Sequence, residues 1–260
     1  MVSKMSNVYG NYSLAYRPVT FSELTPLATT EIIDPNLKDA SGFNADFGYR
    51  GTVKNYLSFD VGVFYLHYDN RIGTIDHNGA PYRTNIGTSE SKGIESYIEI
   101  NPIKIFMDNS KVGSISFFAS NSFIDAEYVK WNNPALANDP LKSIENKRVE
   151  NAPQFIHRFG ATYYLKGFSA TFQLSNVGDV FTDAANTETP NSTGTIGKLS
   201  GYQVLDASLS YKFMERFNFK AGVNNVANEK YATRRATGYP GPAILPGNAR
   251  TVFVSFGASF

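Results

Sequence analysis

The chain has 260 residues and a formal net charge of +1, because 24 Lys and Arg residues nearly balance 23 Asp and Glu residues. A charge so close to zero gives no reason to expect a nucleic acid as the partner. The absence of cysteine excludes disulfides, thiolate catalysis and cysteine metal sites, and no apolar run reaches the roughly 18 residues of a transmembrane helix. The 16 Tyr, 20 Phe and 21 Gly residues are typical of a chain rich in strands and turns.

Alternating apolar and polar residues predict five strands in the first half of the chain. From Leu57 onward, for example, every second residue is apolar or aromatic, and Ser58, Asp60 and Gly62 lie between them. The connections alternate in length: residues 18–40 and 69–89 are long and irregular, whereas residues 50–55 and 101–111 are shorter links. The predicted strands are Val8–Arg17, Phe43–Tyr49, Leu57–Tyr65, Gly93–Ile100 and Ser114–Phe123.

The second half repeats this organisation with five more predicted strands. Long polar or Gly-rich connections cover residues 129–151, 176–200 and 226–248. Between them the chain turns tightly at Lys166-Gly167 and at residues 214–216. The predicted strands are Arg158–Leu165, Phe168–Ser175, Leu205–Phe213, Phe217–Asn224 and Arg250–Phe260.

Strict alternation of long and short connections places every long loop at one end of the strands. An antiparallel meander with one elaborate rim has this property, and so do outer-membrane barrels, whose turns are short on the periplasmic side and whose loops are long outside. The predicted fold is therefore all-β, an antiparallel transmembrane β-barrel meander of about ten strands. Charged residues of the polar set are expected to face a wet interior, because basic residues on the lipid face cost about 2–4 kcal/mol at midplane; the charged members are Asp46, Asp60, Glu95, Glu99, Asp206 and Lys220.

A soluble barrel with an apolar interior is the alternative, and a period of two does not by itself separate the two folds. Three features favour the membrane barrel: small polar residues on the polar face, long loops at one end only, and aromatic residues near the strand ends. These aromatic residues, which are interpreted as part of a membrane-interface girdle, are Tyr16, Tyr128, Tyr163, Tyr211 and Phe213.

Several stretches resemble the C-terminal half of TonB-dependent outer-membrane receptors. They are SKGIES (91–96), FTDAANTETPNSTGTIGKLSGY (181–202), GVNNVANEKYATRRATGYPGPAILPGNARTVFVSF (222–256) and the terminal Phe260. The resemblance covers nearly the whole chain, and within the family the second stretch is most similar to receptors for ferric dicitrate. Such receptors have about 22 strands around a plug, so residues 1–260 are expected to be a C-terminal fragment of that barrel, without signal peptide, energy-coupling box, plug or upstream strands.

The resemblance implies a function and a set of partners. The expected function is TonB-dependent uptake of a ferric chelate, ferric citrate or another siderophore, across the outer membrane of a Gram-negative bacterium. The expected partners are outer-membrane lipid, the chelate, the TonB-ExbB-ExbD energy-coupling complex acting through the plug, and the barrel-assembly machinery, which would recognise Phe260. No cofactor is expected, since the iron would arrive already bound to hard oxygen donors.

Polar side chains in two predicted loops are candidate contacts for an anionic chelate. Arginine suits carboxylates because its guanidinium donates two parallel hydrogen bonds. Solvated loop residues without a function are the alternative for each of them. The candidates are Arg71, Asp76, His77, Asn78 and Arg83 in the 69–89 loop, and Arg234, Arg235 and Tyr239 in the last long loop.

Two other functions remain open. A ten-stranded outer-membrane protease could use the Asp76-His77 pair, and a small passive porin would close its ten strands on themselves. The chain is nevertheless predicted not to be an enzyme, because no catalytic set is suggested by spacing. His67, His77 and His157 are too far apart in the sequence to suggest a metal site.

Overall fold

The computed structural model describes residues 5–26, 32–77, 80–107, 111–131, 143–236 and 243–259. Almost all of the regular structure in these residues is β-strand, and one short helix, α1, covers Pro102–Phe106. The strands are β1 (Ser6–Arg17), β2 (Ile32–Ile33), β3 (Ala40–Val53), β4 (Leu57–His77), β5 (Ala80–Ile100), β6 (Ser114–Trp131), β7 (Phe155–Leu165), β8 (Phe168–Val177), β9 (Tyr202–Phe213), β10 (Phe217–Asn224), β11 (Ala232–Ala236), β12 (Ala243–Pro246) and β13 (Thr251–Ala258).

Ten of these strands form one antiparallel meander in the order β1-β3-β4-β5-β6-β7-β8-β9-β10-β13. They are the ten segments that the sequence predicts, so the antiparallel all-β meander is confirmed. The remaining strands are short: β2 adds two residues in parallel to β5, and β11 and β12 form a separate hairpin. Among the described strands, none bridges β1 and β13, so the sheet is open at both edges.

The register sorts side chains into two faces, because directly paired residues lie on the same side of a sheet. One row of partners crosses β3 to β7 as Arg50, Asp60, Tyr97, Ser120 and Arg158. The neighbouring row, one residue along, reads Phe59, Ile98, Ala119, Phe159, Leu174 and Leu205 across β4 to β9. We call these sides the polar face and the apolar face. The charged residues expected in a wet interior all belong to the polar face.

The apolar face is exposed in the described chain. Phe172 of β8 is 59% exposed and Val252 of β13 is 71% exposed, with comparable values for aromatic and aliphatic residues on most strands between them. Soluble monomers rarely expose a contiguous apolar patch of more than a few hundred Å². An apolar face this wide therefore needs lipid or another apolar surface against it, which argues against the soluble barrel.

Four cross-strand pairs on the polar face each combine an aromatic residue with a glycine. They are Tyr9–Gly48, Phe64–Gly93, Phe118–Gly160 and Phe253–Gly222. At Gly160 an added Cβ would lie 2.2 Å from the Phe118 ring and 2.6 Å from the Phe172 carbonyl oxygen, and at Gly48 it would lie 2.3 Å from the Tyr9 ring. The missing side chain is what lets each ring lie flat across the neighbouring strand.

One line of polar side chains, which we call the polar row, interrupts the apolar face. Ser96, Asn121, His157 and Asn176 are successive cross-strand partners on β5 to β8. His157 Nδ1 lies 3.0 Å from Asn121 Oδ1, and Asn121 Nδ2 donates to Ser96 Oγ over 3.4 Å. Bonding within the row reduces the free-energy cost of holding amide and imidazole groups in an apolar surround.

The long connections meet at one end of the sheet, the loop rim, and the other end is the turn rim. The loop rim contains a buried cluster, which we call the loop core: Ile86, Ala126, Tyr128, Ile144 and Val149. Tyr128 is fully buried, so its assignment to an aromatic girdle is wrong. Ala126 and Tyr128 continue the polar-face alternation of β6, and the loop segments around Ile144 and Val149 cover them because that face would otherwise expose apolar side chains there.

The sequence predicts an irregular loop over residues 69–89, and most of that prediction is wrong. β4 continues to His77 and β5 begins at Ala80, with pairing from Arg71–Gly87 to His77–Ala80. The ribbon extends past the rows in which apolar and polar residues alternate, so neither of its faces is uniformly apolar and no alternation marks its strands in the sequence. A register shift between Tyr68 and Arg71 separates this ribbon from the rest of the sheet.

At the turn rim the chain between β5 and β6 forms α1. Asn101 is its N-cap: the side chain accepts a hydrogen bond from the Lys104 N–H, and Pro102 occupies the first turn, where no N–H is needed. The Asn101 amide also donates to Ser114 Oγ and Ser116 Oγ, which fixes the helix against β6. No helix among the described residues has the length and apolar content needed to cross a membrane.

Candidate functional site

The polar face contains a depression of about 380 Å³ that β1, β4, β5, β6 and β7 line together. Tyr9 OH donates to Asp60 Oδ1 over 2.8 Å, and the Arg50 guanidinium carbon lies 5.2 Å from the centroid of the Tyr9 ring. Glu95 and Arg158 complete its charged lining. Arg158 makes no ion pair or side-chain hydrogen bond with any residue that the structure describes, so its guanidinium is available to a solute in the depression.

Arg71, a predicted ligand contact, supports the loop core instead. Its Nη2 pairs with Glu150 Oε1 at 3.1 Å, and its guanidinium carbon lies 5.5 Å from the centroid of the Tyr128 ring. Tyr128 OH donates to the other Glu150 oxygen over 2.6 Å. Burial, followed by the charge of Glu150, raises the pKa of Tyr128 far above its ordinary value. The tyrosine therefore stays a neutral donor, and the triad ties the β4–β5 ribbon to the segment before β7.

Arg83 is likewise structural. It is only 8% exposed, and its Nη1 donates to the carbonyl oxygens of Ser22 and Glu23 over 3.0 and 3.2 Å. Thr84 OH donates to Asp34 beside it over 2.6 Å. These bonds hold the segment between β1 and β3 against the ribbon, so Arg83 organises a loop that a ligand would meet without facing the ligand itself.

The adjacent arginines of β11 have different surroundings. Arg235 donates to the carbonyl oxygens of Gly194, Gly197 and Lys198 over 2.8–3.3 Å, which locks the β11–β12 hairpin onto the β8–β9 loop. Arg234 is exposed and makes no side-chain hydrogen bond or ion pair within the described ranges. Of the four predicted arginines, Arg234 is thus the one whose guanidinium has no partner among the residues that the structure describes.

The remaining predicted residues are only partly described. Asp76 and His77 end β4, where they pair with Pro81 and Ala80. Their side chains lie outside the described residues, as do Asn78, Tyr239 and Phe260. No group of three or more His, Asp or Glu side chains in the described chain could hold a metal ion; His67 instead contacts Asp69 and Glu90.

Two features of the loop rim have no signal in the sequence pattern. The first, which we call the ionic latch, joins the β6–β7 and β8–β9 loops: Asp179 Oδ2 lies 3.3 Å from both Arg148 Nη1 and Lys198 Nζ. Partial burial of Asp179 opposes its ionisation, but the hydrogen bond and charge of Lys198, and then Arg148, outweigh it and lower the pKa of Asp179 below its ordinary value. The Phe181 ring lies 5.3 Å from the Arg148 guanidinium and 5.2 Å from Lys198 Nζ.

The second feature is Asn225, which organises the return from β10 to β13. Its N–H donates to Asp206 Oδ1, its Nδ2 donates to the carbonyls of Glu229 and Asn248, and its Oδ1 accepts from the Glu229 N–H, all over 2.8–3.0 Å. Its φ of +52° is a left-handed conformation that asparagine tolerates. Asn224 and Asn225 lie in the stretch 222–256 that resembles the receptor family. The second of these asparagines builds the turn.

A cavity of about 660 Å³ lies between the β8–β9 loop and the β11–β12 hairpin. Tyr202 and Tyr231 stack in its wall with ring centroids 4.3 Å apart, and Lys230 and Arg235 also line it. Aromatic planes beside basic groups suit a flat or carboxylate-bearing anion. The polar-face depression and this cavity each offer a solute both shape and charge.

Residues 3–226 match the family model described as TonB dependent receptor-like, beta-barrel. Among solved structures, the chain is similar to the ferric citrate transporter FecA, with a TM-score of 0.78 and 18% identity over 100% of this chain and 37% of FecA. It is also similar to the ferric yersiniabactin uptake receptor FyuA from Yersinia pestis, with a TM-score of 0.70 and 18% identity over 100% and 36% of the two chains. For the copper transporter OprC the TM-score is 0.71, with 17% identity over 98% and 37%.

Identities this low establish a shared fold, and this chain spans little more than a third of each of those proteins. The family match shows more than the fold, because it covers most of the sequence and ends at residue 226, at the start of the β10–β13 connection. A barrel family is also consistent with the antiparallel meander and with its separate apolar and polar faces. The chain belongs to the TonB-dependent receptor-like β-barrel family.

Proposed function

We propose that residues 1–260 are the C-terminal part of an outer-membrane receptor barrel that takes up a ferric chelate in a Gram-negative bacterium. The observation that carries the proposal is the two-faced open sheet: its apolar face is exposed on nearly every strand, and its polar face contains a charged depression. Lipid against the apolar face would cover its exposed side chains, and a wet passage along the polar face would solvate its charged groups. The unpaired edges of β1 and β13 would pair with further strands of the complete barrel.

We further propose that the ligand is an anionic chelate such as ferric citrate. Ferric citrate is carried by one structural relative, FecA. Arg234 at the loop rim and Arg158 on the polar face are free to donate paired hydrogen bonds to carboxylates. Asp76, His77, Asn78 and Tyr239, like Arg234, remain candidate contacts, whereas Arg71, Arg83 and Arg235 shape the loops.

The same proposal includes the partners of the uptake cycle. Binding at the loop rim would be coupled to the TonB-ExbB-ExbD complex through a plug inside the complete barrel. Phe260, at the end of an alternating strand, would serve as the signal for the barrel-assembly machinery. The ten-stranded protease and the porin both need a closed sheet, and the described strands leave β1 and β13 apart.

The test is to titrate iron-loaded citrate into the complete receptor that contains this chain and to measure binding by tryptophan fluorescence or calorimetry. Arg234→Gln should weaken binding by about tenfold, since hydrogen bonds to a charged group contribute about 1.5–3 kcal/mol. Lys54→Gln, which removes one exposed charge at the turn rim, is the matched control and should leave the affinity unchanged. No measurable affinity of the unaltered receptor would refute ferric citrate as the ligand.

A further inference from the structure

A basic cavity of about 640 Å³ lies at the turn rim, at the opposite end of the sheet from the loop core. Residues 164–169, which include the tight turn between β7 and β8, all line it. The connection between β5 and β6 also lines it, through Ile103, Met107 and Lys111. Its volume falls within the roughly 300–1,000 Å³ of ligand pockets. We call this cavity the turn-rim pocket.

The lining of the turn-rim pocket comes from both faces of the sheet. Leu165 and Phe168 are cross-strand partners on the apolar face, and Tyr164 and Ser169 are the neighbouring pair on the polar face. Leu165 and Phe168 are also the last apolar-face residues of β7 and β8 before the turn. The pocket therefore lies where the apolar face ends, and a molecule in it can contact that face and the solvated strand ends together.

Tyrosines lie at the same level of the apolar face. Tyr211 of β9 pairs directly with Phe168 and is 45% exposed. Tyr163, two residues before Leu165, donates its OH to the Val112 carbonyl oxygen over 2.6 Å. Tyrosine is enriched at the level of lipid headgroups, because its ring is apolar and its hydroxyl is polar. When the apolar face meets lipid, as proposed above, the turn-rim pocket is at headgroup depth.

The charge of the turn-rim pocket is strongly positive. Its four lysines make no ion pair or side-chain hydrogen bond with any residue in the described ranges, which do not include Asp108. Lysines elsewhere behave differently: Lys92 pairs with Asp125 and Lys198 with Asp179. Four ammonium groups around one cavity attract anions, whereas a zwitterionic headgroup would add an ammonium of its own. The four lysines are Lys104, Lys111, Lys166 and Lys212.

Backbone contacts fix the positions of three of these lysines. Lys104 belongs to α1, whose N-cap Asn101 is buried and bonded to β6. Lys166 lies in the two-residue turn between β7 and β8, at a φ of +45°. The Lys212 N–H donates to the Gly167 carbonyl oxygen over 2.9 Å. The cluster of charge is therefore a property of the folded sheet end.

Apolar side chains line the same pocket as the lysines. They are Ile103 and Met107 from the β5–β6 connection and Leu165 and Phe168 from the apolar face. An inorganic anion would use the lysines and leave these four residues in water. A phospholipid would use both sets, because its phosphate suits the lysines and its acyl chains continue from the pocket onto the apolar face.

We propose that the turn-rim pocket binds an anionic phospholipid of the periplasmic leaflet. The phosphate lies among the four lysines, and the acyl chains pass Leu165 and Phe168 to follow the apolar face. Charge complementarity and continuity with the apolar face carry this assignment. It rests on the proposed function only in placing the apolar face in lipid and the turn rim on the periplasmic side. It does not depend on which chelate is transported.

Native mass spectrometry of the complete receptor in detergent micelles tests the proposal. The probes are dioleoyl phosphatidylglycerol and dioleoyl phosphatidylcholine, which share their acyl chains and differ in net charge. We expect one bound phosphatidylglycerol, with a dissociation constant about tenfold or more below that of phosphatidylcholine, since each lysine near an anionic headgroup contributes about fivefold. An excess of inorganic phosphate should not displace it.

A matched pair of lysines separates the pocket from general surface charge. Lys166 and Lys54 both lie in tight turns of the turn rim at positive φ, but Lys54 does not line the pocket. Lys166→Gln should weaken phosphatidylglycerol binding about fivefold, and adding Lys212→Gln should bring the loss to about 25-fold. Lys54→Gln should leave binding unchanged. Unaltered heat-modifiable gel mobility of each variant shows that the barrel is intact.

Four results would each overturn the proposal: equal retention of the two lipids, equal effects of Lys166→Gln and Lys54→Gln, displacement by inorganic phosphate, or no bound phosphatidylglycerol. The last would leave the pocket to another occupant, such as an acidic polypeptide. A ferric citrate titration of the same sample tests the uptake function separately. Chelate binding without phosphatidylglycerol binding would refute this inference alone, and the reverse result would refute the proposed ligand alone.

Discussion

The ten-stranded sheet and the loop rim are stabilised in different ways. Along the sheet, backbone pairing is continuous while both faces stay largely accessible; the buried apolar residues named above belong to the loop rim, in and around the loop core. At the rim, Arg71 and Glu150 are partly buried and form a triad with the buried Tyr128. Asn225 ties one turn with hydrogen bonds from both its backbone and its side chain. The apolar side chains of the sheet can be buried only by something outside the described chain, whereas the loop rim buries its own apolar side chains in the loop core.

This difference explains where stability and specificity lie. If the apolar face meets lipid, as proposed, its apolar residues can be exchanged for one another, because lipid adapts to their shape. The close-packed loop core does not tolerate such exchanges. Loops held by buried polar contacts keep a fixed shape over the mouth of the polar face.

The largest expected effect is at Asn225. Asn225→Ala leaves the Glu229 N–H and two carbonyl groups without partners at a position 2% exposed, and it places alanine at a positive φ. We expect the free energy of unfolding in detergent micelles to fall by about 3–5 kcal/mol, given about 1–3 kcal/mol for each buried unsatisfied group. Asn224→Ala, one residue earlier and exposed, is the control and should change it little. Equal effects of the two would show that the turn is not what Asn225 holds.

The next effect tests the glycine positions of the sheet. Gly160→Val should destabilise by about 1–3 kcal/mol, because the new side chain collides with the Phe118 ring and with the Phe172 carbonyl. Phe118→Ala in the same chain should recover part of the loss, which a double-mutant cycle in urea measures. Gly10→Ala is the control, since its Cβ would meet nothing closer than 3.5 Å. Additivity of the two changes would contradict a packed Phe118–Gly160 pair.

A smaller effect is expected on the apolar face. Asn121→Leu leaves Ser96 and His157 without their partner in an apolar surround and should cost about 1–2 kcal/mol. Adding His157→Phe should recover much of this loss, because both polar groups are then replaced by apolar ones. Chemical unfolding of the two variants measures it; a double variant less stable than the single one would show that His157 has a favourable role of its own.

The pH dependence of the ionic latch should be the mildest effect near neutrality. Because the folded pKa of Asp179 is lowered, its contribution is present above the ordinary carboxyl value of 3.8 and is lost as the pH falls through the lower, folded value. Protease protection of the β8–β9 loop should therefore be constant from mildly acidic to neutral pH and fall only in strong acid. Asp179→Asn should remove that acid transition, and an unchanged transition would assign it to another carboxylate.

Much of the sheet could be predicted from the sequence, because one apolar and one polar face impose an alternation on strands such as β9 and β13. The extension of β4 and β5 from Arg71–Gly87 to His77–Ala80 could not be predicted, since neither of its faces is uniformly apolar. The buried position of Tyr128 was equally hidden: an aromatic residue at a strand end reads as a girdle residue until the loops that cover it are known. Arg83 and Arg235 were identifiable as polar loop residues, but their carbonyl partners are distant in sequence. Arg158 has no side-chain partner among the described residues. The only sequence signal for its place on the polar face was its position in the alternation of β7.

Adjacent residues of β9 can show whether the polar face borders water and the apolar face borders lipid. The chain has no cysteine, so Ser208→Cys and Leu209→Cys each introduce a single thiol. In native outer membranes, a small water-soluble thiol reagent should label the thiol at position 208, and a fluorophore at position 209 should be quenched by a lipid-borne spin label. Labelling of position 209 by the water-soluble reagent, with quenching at position 208, would contradict the assignment of the two faces.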